Sequence, residues 1–230
     1  MKGYLILNGG EAFTPRTKLL DHSWLSLIRG QSRPRLMVVP VASVDKPFKA
    51  ADEAAHYFKN LATFAEYTLI TDQLTANTAQ HVEPLDKVDV ICFTDGSPVD
   101  MVERLRGTKT EAALHRALAR KACVMGTGAS AMALGGAFWL SGAWETGLGL
   151  APHLAILPHH QIVQMRLPPE RLLAELPPGI TVIGIDDATA LIGYPDDTYQ
   201  AEGEGHVTVY RSVEQQDSYR AGDRFSLASQ

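Results

Sequence analysis

Five short segments of the 230-residue chain gather the groups able to do chemistry: Asn8-Gly9-Gly10, residues 94–98, residues 126–131, Pro158-His159-His160, and Asp186-Asp187. Together they offer small hydroxyls, a histidine pair, a carboxylate pair and glycine backbone donors. This set suits nucleophilic acyl transfer: a hydroxyl on a sharp turn attacks, a histidine takes its proton, a carboxylate orients the histidine, and backbone N–H groups hold the oxyanion. Each candidate also has a plain structural reading. Ser130 can cap or pack a helix start. Asp186-Asp187 after a strand can be turn chemistry. Neighbouring histidines on an extended segment point to opposite sides, so one of His159 and His160 is expected to be structural. Thr127 is an outside candidate for nucleophile, although its β-branched side chain precedes the turn. The histidine pair has no carboxylate or third histidine at ligand spacing, so no metal is expected. Gly9-Gly10 lacks the GxGxxG spacing, and no cofactor is expected.

These segments follow apolar runs that must place them. Runs at residues 4–7, 35–39, 67–70, 88–93, 122–125, 154–157 and 180–185 read as strands, and segments of helical period lie between several of them. Leu20, Trp24, Leu27 and Ile28 mark one helix that stops at Gly30. Ser43 can cap another with Phe48, Ala55, Phe58 and Leu61 inward. Pro98 suits the first turn of a third, carrying Met101, Val102 and Leu105 and stopped by Gly107. Thr108 to Glu111 has capping-box spacing before a fourth with Leu114 and Leu118 on one face. Residues 126–136 are a Gly/Ala-rich turn entering a small-residue helix, and residues 169–176 read as a last helix. Residues 189–193, 198–201 and 207–211 read as closing antiparallel strands, followed by a polar, loose tail from about residue 213. The alternation predicts an α/β fold with a mostly parallel sheet, whose ligands gather at the carboxyl ends of the strands.

Composition bounds the function. Forty-five per cent hydrophobic and 20% charged residues describe a globular chain, long enough for one core and one domain over residues 1–230. Lys and Arg total 21 against 26 Asp and Glu, a net charge of −5 without a basic block. That argues against nucleic acid or an anionic membrane as partner. Cys92 and Cys123, the two cysteines, lie in apolar runs and read as buried reduced thiols. With no leader pattern and no apolar stretch of about 18 residues, a cytoplasmic protein is expected.

Several ordered motifs resemble peptidase family S51, the dipeptidase E and cyanophycinase group, over most of the chain. They are Asp95-Gly96-Ser97-Pro98 after a strand, the elbow at residues 126–135, Gly147-Leu148-Gly149-Leu150, Pro158-His159, the run at residues 184–191, and the closing strand at 207–211. The resemblance implies a three-layer fold, flavodoxin-like and similar to class I glutamine amidotransferases, with C-terminal antiparallel strands. It also implies His159 as base and Asp187, in place of the usual Glu, as its orienting acid.

Two departures decide what that resemblance can mean. In ungapped register the family's nucleophilic serine falls on Gly128, and the glycine two residues later falls on Ser130. Asp95 stands where the family has the first glycine of its oxyanion loop, beside Gly96; a carboxylate there opposes a transition state that builds negative charge. The leading expectation is therefore an S51-like homologue, impaired or inactive as a serine peptidase, whose cleft could still hold a small peptide-like or acidic ligand. The alternative is an active hydrolase with a slipped elbow, in which Ser130, His159 and Asp187 act together and the N–H of Ala131 serves the oxyanion; Ala129 is the corresponding donor in the unslipped elbow. A third reading is a non-catalytic interaction module using the old cleft.

Overall fold

The computed structural model describes residues 3–29 and 33–227; Gly30, the expected helix stop, lies outside them. In chain order the elements are β1 (Tyr4–Asn8), α1 (Lys18–Arg29), β2 (Arg35–Val39), α2 (Pro47–Lys59), β3 (Phe64–Tyr67), α3 (Ala79–Val82), β4 (Val90–Phe93), α4 (Pro98–Leu105), α5 (Lys109–Ala119), β5 (Cys123–Thr127) and α6 (Ala129–Leu134). They continue with β6 (Gly135–Leu140), β7 (Ala143–Thr146), β8 (Ala151–Leu157), α7 (His160–Val163), α8 (Pro169–Leu173), β9 (Thr181–Ile185), β10 (Thr189–Gly193), β11 (Thr198–Gly203), β12 (Val207–Tyr210), β13 (Gln216–Tyr219) and β14 (Arg224–Ser226).

The fold is mixed α/β, with the strands divided between two sheets. The first has order β14-β11-β10-β1-β5-β4-β2-β3, parallel from β1 to β3 and antiparallel on the other side. The second has order β13-β12-β9-β8-β6-β7, with a parallel centre of β6, β8 and β9. Strand alternation builds the layers. Ile6 faces α1 and α2, packing with Trp24, Phe58 and Val38. Leu5 and Leu7 face the other way, into a cluster shared with Leu134 and with Ile156 and Ile183 of the second sheet. On the far face of that sheet, Leu157, Val182 and Tyr210 meet Leu172 of α8. Among the described residues no helix is long and apolar enough to cross a membrane.

Several local expectations need correction. α2 begins at Pro47, whose fixed φ suits a first turn, so Ser43 caps nothing; its hydroxyl donates to the Asp95 carbonyl at 2.7 Å. Phe48 is 57% exposed, and the inner face is Ala51, Ala54, Ala55 and Phe58. The third strand is β3, three residues earlier than the apolar run suggested, because pairing with Arg35–Val38 sets its register. The hairpin of β6 and β7 was hidden by the small-residue signal before it; Trp139 and Trp144 pair across it, ring centroids 5.2 Å apart. As far as residue 227 the polar tail is ordered: it adds β13 to one sheet and β14 to the other, and Phe225 stacks on Tyr219 with centroids 3.7 Å apart. Thr108 does accept the Glu111 N–H at 3.4 Å, but the Glu111 carboxylate turns to the Gly107 N–H at 2.7 Å.

Candidate active site

The site forms where β1, β5 and β4 end side by side, with the loop after β8 folded over them. The β5 strand passes into α6 through Gly128, which has φ +52° and ψ −118°. L residues rarely adopt that conformation, and glycine takes it without strain. Its N–H is tied to the Asn8 carbonyl at 3.0 Å, fixing the elbow to the end of β1.

Asp95 reaches across from the loop after β4. Its Oδ1 accepts the Ala129 N–H at 2.7 Å and the Gly96 N–H at 2.7 Å. Two backbone donors converging on one oxygen form the arrangement that stabilises an acyl-transfer oxyanion, and here a carboxylate of the chain itself occupies it. A Cβ built on Gly128 would lie 2.5 Å from Asp95 Cγ and 2.6 Å from its Oδ2. The Asp95 carboxylate therefore fills the space into which an elbow side chain would project.

Ser130 points elsewhere. It is fully buried; its Oγ accepts the Thr127 N–H at 2.7 Å and reaches the Thr127 and Phe93 carbonyls at 2.9 and 3.3 Å. It serves as a local tie for the start of α6, a common use of serine there. Thr127 is likewise buried, with its hydroxyl on the Phe93 carbonyl at 3.3 Å.

The two histidines part company, though not by extended alternation. His159 is left-handed, with φ +52° and ψ +39°, immediately before α7. Its side chain is 44% exposed and its Nδ1 lies 2.6 Å from Asp187 Oδ1. Because a carboxylate can only accept, Nδ1 carries the proton, which in the neutral ring leaves the Nε2 lone pair available as a base. Asp187 is held at both ends by Gln161, whose amide donates to Oδ2 and whose Oε1 accepts the Asp187 N–H at 3.1 Å. Sequence reasoning missed Gln161, whose place two residues after His159 carries no spacing signal of its own. Gly10 forms the wall beside the pair, since a Cβ there would stand 2.6 Å from His159 Nδ1. His160 is buried, its Nε2 2.7 Å from the Tyr210 hydroxyl and its Nδ1 3.6 Å from Asp186. Burial holds His160 below the ordinary histidine range, with Asp186 opposing that shift, so it is neutral at pH 7.

A cavity of about 530 Å³ opens onto the elbow, lined by Gly10, Phe13, Ser43, Asp95 and Gly128 among others. A larger cavity of about 850 Å³ lies at the opposite, amino-terminal ends of β8 and β9, bounded by Leu118, Leu150 and Tyr199. It shares no residue with the elbow, whereas the smaller one is lined by Asp95 and Gly128; neither is lined by His159 or Asp187. Among the described residues no group of three or more His, Cys, Asp or Glu could hold a metal ion. Cys92 and Cys123 are buried and unpaired, and burial raises both thiols well above their usual range.

Known proteins share this arrangement of elements. The profile of peptidase family S51 matches residues 4–199. A crystal structure of a peptidase from an acI-B1 Actinobacterium superposes with a TM-score of 0.83 at 21% identity, covering 99% of this chain and 98% of that one. A protein described as a candidate peptidase E from Listeria monocytogenes EGD-e superposes with a TM-score of 0.61 at 17% identity, covering 91% and 98%. At these identities the likeness is one of fold. No curated protein matches the chain.

Proposed function

The chain belongs to peptidase family S51, and from that premise we propose that it has lost serine-peptidase chemistry at the elbow while keeping the cleft and the His159–Asp187 pair. The observation that carries this reading is the Asp95 carboxylate standing in the volume of a side chain on residue 128. Gly128 supplies no attacking atom. The hole that would receive a substrate's carbonyl oxygen already holds an anion, which both blocks the site and repels a second negative charge. The retained cavity has room for a small ligand, peptide-like by inheritance from the family.

The rival reading, with Ser130 as nucleophile, has the geometry against it. A fully buried hydroxyl tied to the Thr127 and Phe93 backbone must leave three contacts to reach a substrate. An interaction module without chemistry finds no specific observation in its favour. A fluorophosphonate probe, which esterifies activated serines, tests the reading: the native chain stays unlabelled, whereas the Gly128→Ser/Asp95→Gly chain is labelled. Stoichiometric labelling of the native chain that vanishes in Ser130→Ala overturns it.

A further inference from the structure

We infer that the elbow cavity binds a small organic cation, an aliphatic amine that also carries a hydroxyl oxygen, rather than the acidic ligand expected from the sequence. The inference deepens the reading above and rests on it, since Asp95, the first group to recognise the amine, occupies the space an elbow nucleophile would need. Three observations carry it.

The first is the charge of the lining. Glu11, Glu53 and Asp95 all border the 530 Å³ cavity, and no lysine, arginine or histidine does. Arg16 is shared between Glu11 and Glu204, and Lys49 lies 3.6 Å from Glu53 in a pair whose side chains are 64 and 67% exposed, so neither cation cancels the charge of the wall. Asp95 is held in place by the Ala129 and Gly96 N–H groups on Oδ1, both at 2.7 Å, while among the described residues its Oδ2 accepts no hydrogen bond and pairs with no cation. A carboxylate fixed at one oxygen and open at the other is preorganised for an N⁺–H donor. The anion that repels a substrate oxyanion attracts a cation. The second observation is Phe13, which lines the same cavity with its ring held against Tyr57 and Phe58 at centroid separations of 5.9 and 5.5 Å. An aromatic ring on a carboxylate-lined wall adds cation–π attraction for an ammonium group.

The third observation is a buried donor without a partner. Asn8 is fully buried and its Oδ1 accepts the Gly10 N–H at 2.8 Å, but its Nδ2 has no hydrogen-bond partner. A buried amide N–H left unpaired is costly, and native chains rarely keep one that nothing uses. The pleat turns Asn8, two residues after Ile6, to the α2 side of the sheet, and its register partner on β5 is Thr127. Thr127, Gly10 and Gly128, whose N–H is tied to the Asn8 carbonyl, all line the cavity, as do Ala50 and Glu53 of α2. The donor is thus aimed at the cavity from behind this wall, where it calls for an oxygen. Carboxylates for the ammonium and an amide N–H for the oxygen describe an amino alcohol, bound reversibly and without covalent chemistry.

The test titrates the native chain, by calorimetry and NMR, with four compounds that share a four-carbon chain: 4-amino-1-butanol, butylamine, 1,4-butanediol and 4-hydroxybutyrate. The amino alcohol is expected to bind saturably and more weakly as salt is raised. The diol and the hydroxybutyrate, which lack the positive charge, should bind about tenfold or more weakly. Butylamine, which offers Asn8 no oxygen, should fall between them. Asp95→Asn, which keeps an oxygen for the Ala129 and Gly96 N–H groups, is expected to weaken the amino alcohol by about tenfold, and Glu53→Gln, at the surface of α2, to weaken it less. Glu145→Gln on β7, away from the cavity, should leave affinity unchanged. The inference is overturned if the amino alcohol does not bind, if any of the other three compounds matches it, or if Asp95→Asn and Glu53→Gln, shown folded by circular dichroism, keep the native affinity. Each of these results would leave the fluorophosphonate outcomes, by which the proposed loss of serine chemistry is judged, untouched.

Discussion

Asp95 and Gly128 occupy each other's space: the Asp95 carboxylate sits 2.5 to 2.6 Å, at Cγ and Oδ2, from where a Cβ on Gly128 would be. The two departures from the family pattern, which the sequence presents as separate losses, are a single steric exchange. A serine at 128 and an aspartate at 95 cannot both point into the elbow.

That exclusion predicts non-additivity. Gly128→Ser alone is expected to cost about 2 kcal/mol or more, from left-handed strain and displacement of Asp95, and to remain unlabelled by fluorophosphonate. Adding Asp95→Gly removes the clash, recovers part of the stability and creates labelling and slow hydrolysis of short acidic peptides. Urea unfolding and probe labelling across the double-mutant cycle check this; additive effects refute the exchange.

In that double variant the His159–Asp187 pair should become essential. Asp187→Asn is expected to lower its turnover by about 10²- to 10⁴-fold, through loss of the correct tautomer of His159. Gln161→Leu should lower it less, through looser placement of Asp187. Rates measured at fixed pH separate the two, and an equal, negligible effect would remove the pair from the chemistry.

Ser130→Ala should act on stability alone. It leaves the buried Thr127 N–H without its 2.7 Å partner, a loss of about 1–3 kcal/mol. Denaturant unfolding measures the loss, and neither the native chain nor the variant should be labelled by fluorophosphonate.

A pH signature is expected from Asp21, buried among α1 and α2. Burial raises it from 3.8 to about 6, while hydrogen bonds from Tyr57 and Trp24 pull the other way. The folded state therefore holds the proton more tightly than the unfolded chain. This contribution to stability is complete below about pH 4 and is lost as pH rises through about 6. The full swing is about 3 kcal/mol. Comparing native and Asp21→Asn unfolding at pH 4 and pH 7 should show the native chain losing stability relative to the variant; the opposite trend refutes the assignment.

The ordered tail has an energetic consequence too. Phe225→Ala removes the ring stacked on Tyr219 and packed against Tyr199, and should destabilise by about 2–3 kcal/mol. A melting point unmoved by the change would mean that β14 contributes nothing to the fold.

What the chain's order of residues determined was local and periodic. Apolar runs ending in glycine or proline marked β1, β2, β4 and β5; Pro98 and Thr108 marked two helix starts; the motif series marked the family, the elbow and the His159–Asp187 pair. Each is set by contacts within a few residues or by a spacing that chemistry restricts. The absence of a side chain at 128 was likewise plain from the letters alone.

Tertiary structure decided everything that depends on which strands become neighbours. The division into two sheets and the pairing of β14 with β11 rest on partners farther along the chain, while β13 folds back on β12 as a hairpin, so a polar tail that reads as loose is pinned by pairing and by Tyr219. The same holds for the site. Asp95 and Ala129 are 34 residues apart, and no periodicity reveals that the carboxylate of one closes onto the N–H of the other. Only the side-by-side packing of β4 and β5 brings them within hydrogen-bond reach, and that contact turns a missing serine into an occupied hole.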